Sequence, residues 1–202
     1  MSESVRVAID FKSPASYLAI APARALESRL GRPFEWLPLD VPGLAFHPVV
    51  GNEDRGARHR RIRAEYLAND LRRYAASRGL ELGDLYRKPD TVPASLGLLW
   101  LGARSPALAS DYVTRAFDRI WRESAPADLA FVERSLGGDA AGFRAWADAD
   151  GPKQLAELRE ELGPAAMWST PTFLVAGDAF IGRAHLPMVE WLATGKAGPA
   201  PI

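Results

Sequence analysis

The chain has 202 residues, 48% of them apolar and 25% charged, which gives room for one substantial core and the balance of a globular rather than a disordered domain. Basic and acidic side chains number 25 each, so no overall charge draws the protein to nucleic acid or a membrane surface, and no apolar run approaches the roughly 18–20 residues of a membrane span. The absence of cysteine excludes disulfides, thiolate metal sites and a cysteine nucleophile carried by the protein itself.

The opening run "MSESVRVAID" has neither a basic n-region nor a small-residue cleavage site, and a cytoplasmic protein is the expectation. Val5, Val7, Ile9 and Phe11 alternate with Arg6, Ala8 and Asp10, the period of a strand with one buried face. Ser13 then precedes Pro14: a hydroxyl suited to an N-cap, followed by a residue whose missing N–H costs nothing at the first helical position. The spacing predicts a helix to Leu30 with Gly31 as its stop, while Pro22 removes a backbone hydrogen bond inside it and predicts a bend. "PFEWLPLD" reads as a second short strand, which Pro38 places at a sheet edge or strand end. Strand, helix, strand in this order implies parallel pairing through a right-handed crossover.

From about Gly56 the period becomes helical. Ile62, Tyr66, Leu67, Leu71, Tyr74 and Ala75 fall on one face, arginines fill the other, and Gly79 ends the run. Glu65 and Asp70 interrupt the arginines, so this reads as a solvated face and not as a nucleic-acid arm. Further helical stretches carry Leu108, Tyr112, Val113, Phe117, Ile120 and Trp121, then Phe143 and Trp146, then Leu155, Leu158 and Leu162 before Gly163-Pro164. "TPTFLVAGDAFIG" is a hairpin turning at Ala176-Gly177-Asp178, and "LPMVEWLATG" a closing helix ending at Gly195. His47, His59 and His185 are scattered without ligand spacing, and no metal site is expected.

The two ends of the chain together give the thioredoxin layout, interrupted by helices. The expected fold is therefore α/β and thioredoxin-like, with residues 1–50 and 165–202 forming that part and an all-helical insert over 51–164. Ser13-Pro14-Ala15-Ser16 stands where thioredoxin-like redox proteins carry C-x-x-C, at the positive end of the first helix. Thr170-Pro171 opens the hairpin where this fold places a cis proline beside that helix end. With "DFKSPASYLA", Gly51-Asn52, "YLANDLRRYAASRG" and "STPTFLVAGDAFIG" in the same order over nearly its whole length, the chain resembles the 2-hydroxychromene-2-carboxylate isomerase family. That family is related to the kappa-class glutathione transferases and to the bacterial DsbA-like disulfide oxidoreductases with a helical insert.

The resemblance implies a glutathione-dependent isomerase that acts on 2-hydroxychromene-2-carboxylate or a similar aromatic pyruvate in the breakdown of an aromatic compound. It implies Ser13 as the catalytic group at the cofactor's sulfur, and Asn52, Thr170, Pro171 and Arg183 as further cofactor contacts. Ser16 and Trp168 are candidate pocket residues, and a homodimer follows by analogy. A thiol with pKa about 8.5 is only a few per cent ionised at neutral pH, and a hydroxyl plus first-turn N–H groups can lower it by one or two units. Serine is then a donor and not a nucleophile, for no histidine lies near it in sequence to act as its base.

Plainer readings stand beside each residue. Ser13 suits an ordinary N-cap, Ser16 an ordinary first turn, Asn52 a polar turn and Thr170 a simple bend. One segment departs from the family: where an acidic "DR"-type stretch follows the hairpin, this chain reads "GRAHL", Gly182 to Leu186, in which Arg183 can take a carboxylate. A kappa-like transferase is the alternative enzyme, and a thioredoxin-like ligand-binding scaffold the non-enzymatic one.

Overall fold

The computed structural model describes residues 3–49, 51–163 and 169–201. Strand β1 (Arg6–Ile9) leads through Ser13 into helix α1 (Pro14–Leu30), and β2 (Glu35–Pro38) returns parallel to β1 with Val7 opposite Trp36. After the helices, β3 (Thr172–Val175) pairs antiparallel to β1, and β4 (Asp178–Ile181) antiparallel to β3. The four-stranded sheet therefore has the order β2-β1-β3-β4, with β2 on the edge that Pro38 predicts. The hairpin turns on Ala176 and Gly177, both at positive φ (53° and 84°), the conformation that lets a two-residue turn follow the twist of its strands.

Between β2 and β3 lie α2 (Arg55–Ala76), α3 (Val92–Gly102), α4 (Pro106–Phe117), a π-helical turn at Asp118–Arg122, α5 (Leu129–Ser135), α6 (Ala140–Asp148) and α7 (Gly151–Leu162). Helix α8 (Leu186–Ala193) closes the chain. Among the described residues no helix is long and apolar enough to cross a membrane. One buried cluster runs without interruption from Val7, Ile9 and Phe11 of the sheet side to Tyr112, Phe117, Trp121 and Phe143 of the helices. Burial of this apolar surface is the main stabilising term.

Two buried polar groups tie the layers together. Glu27 of α1, 5% exposed, accepts hydrogen bonds from Phe34 N (2.6 Å), Trp36 Nε1 (3.0 Å) and Ser110 Oγ (2.7 Å), and Arg24 pairs with its other oxygen. One carboxylate thus joins α1, the entry to β2, and α4. The indole of Trp121 donates to Phe11 O at 2.9 Å and fixes the π-helical turn beside the end of β1.

Helix α3 is apolar on all sides and lies against both β2 and α4. Its approach to α4 requires glycine: a Cβ at Gly97 would fall 2.5 Å from Tyr112 Oη, which itself donates to Ala94 O at 3.0 Å. At the far end of the helix, a Cβ at Gly102 would sit 3.9 Å from Trp36 O of β2.

The expected bend at Pro22 does not interrupt α1, which runs unbroken through it. Pro22 leaves Leu18 O without its helical N–H partner, and Arg78 Nη1, just past the end of α2, donates to that carbonyl at 2.6 Å. The proline and the arginine are thereby complementary. Arg78→Ala is expected to cost about 1.5–3 kcal/mol, the range for a hydrogen bond to a charged group, as measured by urea denaturation. Adding Pro22→Ala should recover part of that loss, because an N–H at position 22 can again serve Leu18 O, and purely additive effects would argue against the pairing.

Candidate active site

Ser13 sits at the junction of β1 and α1 with its N–H on Asp10 O (2.9 Å) and its backbone extended, as an N-cap requires. Its Oγ accepts from Ser16 N at 3.2 Å, and it lies 3.5 Å from Thr170 O as a donor, at the outer limit of a hydrogen bond. Capping therefore occupies only a lone pair, and the hydroxyl proton is weakly held. The Thr170–Pro171 bond is cis, and both residues are buried beside the helix end. Ser13, Ala15, Ser169 and Thr170 share a cleft of about 450 Å³ with the 41–47 loop, the inner face of α2 and Arg183.

A buried carboxylate holds the floor of this cleft to its wall. Asp10, 2% exposed, accepts from Lys12 N (2.9 Å), Lys12 Nζ (2.5 Å) and Val41 N (3.0 Å). Lys12 also binds Asp40, which in turn binds Arg159 of α7. Burial pushes the Asp10 carboxyl above its ordinary range, against the pull of these donors. Burial also opposes the charge on Lys12, but its hydrogen bonds to Asp10 and Asp40 prevail and raise its pKa.

Helix α2 gives the cleft Arg60, Arg63, Ala64, Leu67, Asp70 and Leu71, a stripe at helical spacing. This corrects the face read from sequence. Ala68, Leu71 and Ala75 are buried, but Ile62, Tyr66, Leu67 and Tyr74 are 43–60% exposed, since α2 meets the body of the protein mainly through α1. Tyr74 instead carries the Arg183 guanidinium, 3.5 Å above its ring. The arginines divide as well: Arg61 is paired with Glu53 and Glu65, whereas Arg60 and Arg63 line the cleft and pair with no carboxylate among the described residues.

Ser13, Thr170 and Arg183 meet around one cleft, while Pro171 is buried and does not line it. Two candidates do not join them. Ser16 is fully buried, its Oγ accepting from Asp10 N at 3.4 Å, so it braces the first turn and reaches no pocket. Asn52 is exposed in its turn and does not line the cleft. Trp168 lies outside the described residues. The sequence reading passed over Lys12, Arg60, Arg63 and Asp70, although the spacing 60, 63, 67, 70 already placed three of these on one face of α2.

A parallel strand pair extended by an antiparallel hairpin, with a cis proline facing the first helix end and helices inserted between, defines a thioredoxin-like protein with its site at that helix end. The family model of the DSBA-like thioredoxin domain matches residues 4–191, and the chain belongs to this family. A curated relative from Pseudomonas putida named 2-hydroxychromene-2-carboxylate isomerase is 27% identical over 196 residues, covering 90% of this chain and 89% of its own. One of the same name from Sphingobium xenophagum is 32% identical over 126 residues, 60% of each chain. A solved structure of 2-hydroxychromene-2-carboxylate isomerase matches with a TM-score of 0.70 at 25% identity, over 95% of this chain and 94% of that one.

The buried pair is testable. Lys12→Met leaves the Asp10 anion without its partner and is expected to cost about 3 kcal/mol near neutral pH. A carboxyl whose folded pKa exceeds its unfolded one costs stability above the folded value, and this cost disappears as pH falls through it toward about 4. The Lys12→Met penalty should therefore shrink between about pH 7 and pH 4 in urea denaturation; a constant penalty would mean that Asp10 does not carry the effect.

Proposed function

We propose that the protein is an isomerase of 2-hydroxychromene-2-carboxylate or a similar aromatic pyruvate, with glutathione as the thiol that it activates. The observation that carries this reading is the Ser13 hydroxyl: it lines the cleft at the start of α1 with its proton all but unused. The names of the relatives support an isomerase, and the match to one of them spans most of both chains.

The residues present fit a small peptide thiol. A cleft of about 450 Å³ falls within the roughly 300–1,000 Å³ of small-molecule sites. Thr170, whose Oγ1 is buried without a protein partner, lies on its wall opposite the helix end. Glutathione, when bound, supplies a sulfur that adds reversibly to an unsaturated carbonyl compound, which divides one hard step into two easier ones.

The chain's own part is electrostatic. The Ser13 Oγ–H and the Ala15 N–H, a first-turn donor with no partner inside the helix, point a hydroxyl and an amide toward an anion at the positive end of α1. Each donor favours thiolate over thiol, and a depression of one pKa unit corresponds to about 1.4 kcal/mol. Arg60 and Arg63 offer charge to a carboxylate entering the cleft mouth. Having no cysteine, the protein cannot form a mixed disulfide of its own, which speaks against a disulfide oxidoreductase.

Ser13→Ala is expected to lower kcat/KM with a chromene carboxylate about a hundredfold or more, as loss of one preorganised donor does elsewhere. Loss of the cap should cost only about 1 kcal/mol of stability, so melting is measured in parallel. Full activity in Ser13→Ala, or turnover that needs no glutathione, would remove the assigned role. A glutathione conjugate that accumulates would mark a transferase, and no binding of millimolar glutathione a ligand-binding scaffold.

A further inference from the structure

The segment where α4 gives way to the π-helical turn grips the chain on both sides of Ser13. Two residues before the serine, Phe11 packs its ring against Phe117, with centroids 4.9 Å apart, and its carbonyl accepts from Trp121 Nε1 at 2.9 Å. Four residues after it, Tyr17 stacks on the same Phe117 ring, with centroids 5.9 Å apart and planes 17° from parallel, and its hydroxyl donates to Asp118 Oδ1 at 2.8 Å. Phe117, Asp118 and Trp121 therefore reach both flanks of the cap from one helical turn. None of the three lines the cleft, nor does Tyr17. The turn is itself held: Glu123 N donates to Asp118 O at 2.9 Å, the register of a π-helix, and Arg87 lies 4.2 Å over the Trp121 ring while donating to Ile120 O. Such wide turns recur at functional sites.

The Ser13 hydroxyl depends on a brace of this kind. Its Oγ accepts from Ser16 N at 3.2 Å and reaches Thr170 O only at 3.5 Å, so no strong bond of its own aims it. Its direction is left to the backbone, which is fixed by Ser13 N on Asp10 O and by Tyr17 N on Ser13 O. We infer that Tyr17 and Asp118 are positioning residues for the Ser13 hydroxyl, closing with Trp121 on Phe11 O a clamp that holds the start of α1 against the π-helical turn. This inference rests on the reading of Ser13 as the donor to the glutathione sulfur, and adds to it what keeps that donor aimed. Burial, and then the bond to Asp118, push the Tyr17 hydroxyl above its ordinary pKa, so it remains a donor. Misplacing a reacting group by about 1 Å can cost about a hundredfold in rate, so a clamp outside the cleft bears on the chemistry inside it.

Tyr17 and Asp118 border a recess that shares no residue with the cleft, so Tyr17→Phe leaves the carboxylate to water and is the mildest way to open the clamp. Tyr17→Phe is expected to lower kcat with a chromene carboxylate about tenfold near neutral pH. It should also raise the pKa of the bound glutathione thiol by about one unit, read from thiolate absorbance in the ultraviolet, because a misaimed hydroxyl favours the anion less. Asp118→Ala should match it, and Asp118→Asn, whose amide oxygen still accepts from Tyr17 Oη, should change both less. In a Ser13→Ala background, Tyr17→Phe should alter neither quantity further, for no hydroxyl remains to be aimed. If Tyr17→Phe acts by the same factor with and without the Ser13 hydroxyl, or leaves the thiol pKa where it was, the positioning role is overturned while the glutathione reading stands. A lowered melting temperature with an unmoved thiol pKa marks a structural role only and likewise overturns it. If Ser13→Ala itself leaves turnover and the thiol pKa untouched, the reading of Ser13 falls and this inference with it.

Discussion

The geometry of the cleft depends on an anion buried where β1 ends. Asp10 is drawn out of water and is tolerated there because it receives one ammonium and two backbone N–H groups. Its three bonds do different work. The bond to Lys12 N shapes the turn that delivers Ser13 to the start of α1, the bond to Lys12 Nζ keeps that turn charged and rigid, and the bond to Val41 N draws the loop after β2 against it. The cap, the cleft wall and the end of β1 are thus tied together by a single side chain that itself belongs to the cleft lining. Apolar burial stabilises the protein, but this carboxylate decides where one hydroxyl points.

What the sequence makes legible is local. Ser13-Pro14 and Gly31 mark both ends of α1, Pro38 marks the edge strand, and Gly177 marks the hairpin, because each signal is a local preference of the residue itself. Helix α3 escapes such a reading, since it is buried on every side and shows no amphipathic period. Pro22 looks like a defect until Arg78 is seen on Leu18 O, a bond between residues 60 apart in the chain. The same holds for the site. Ser13 and Thr170 could be named from the layout, whereas the place of Asp70 in the cleft lining emerges only when α2 is seen beside it. Ser16 and Asn52 belong to motifs near the site, but the fold turns one inward and leaves the other out in solvent.

A formal charge of zero conceals this local order. The arginine-rich face of α2 is not uniformly solvated: Arg61 is held between two glutamates, while Arg60 and Arg63, one turn apart, line the cleft without carboxylate partners among the described residues. A third cation of the lining, Arg183, is supported by the Tyr74 ring and accompanied by Asp70. The cleft lining therefore carries several cations beside two acids although the chain as a whole is neutral.

The contact of α3 with β2 bears on the outer border of the sheet. Glu35 N and Leu39 N bond toward β1, so the N–H and C=O of Trp36 face outward from the sheet, and the C-terminal glycine of α3 rests against that outward carbonyl. An open strand border is a template for a foreign strand, and here a helix of the insert shields it. Removing α3 would thus leave that border of the sheet open to pairing with a foreign strand.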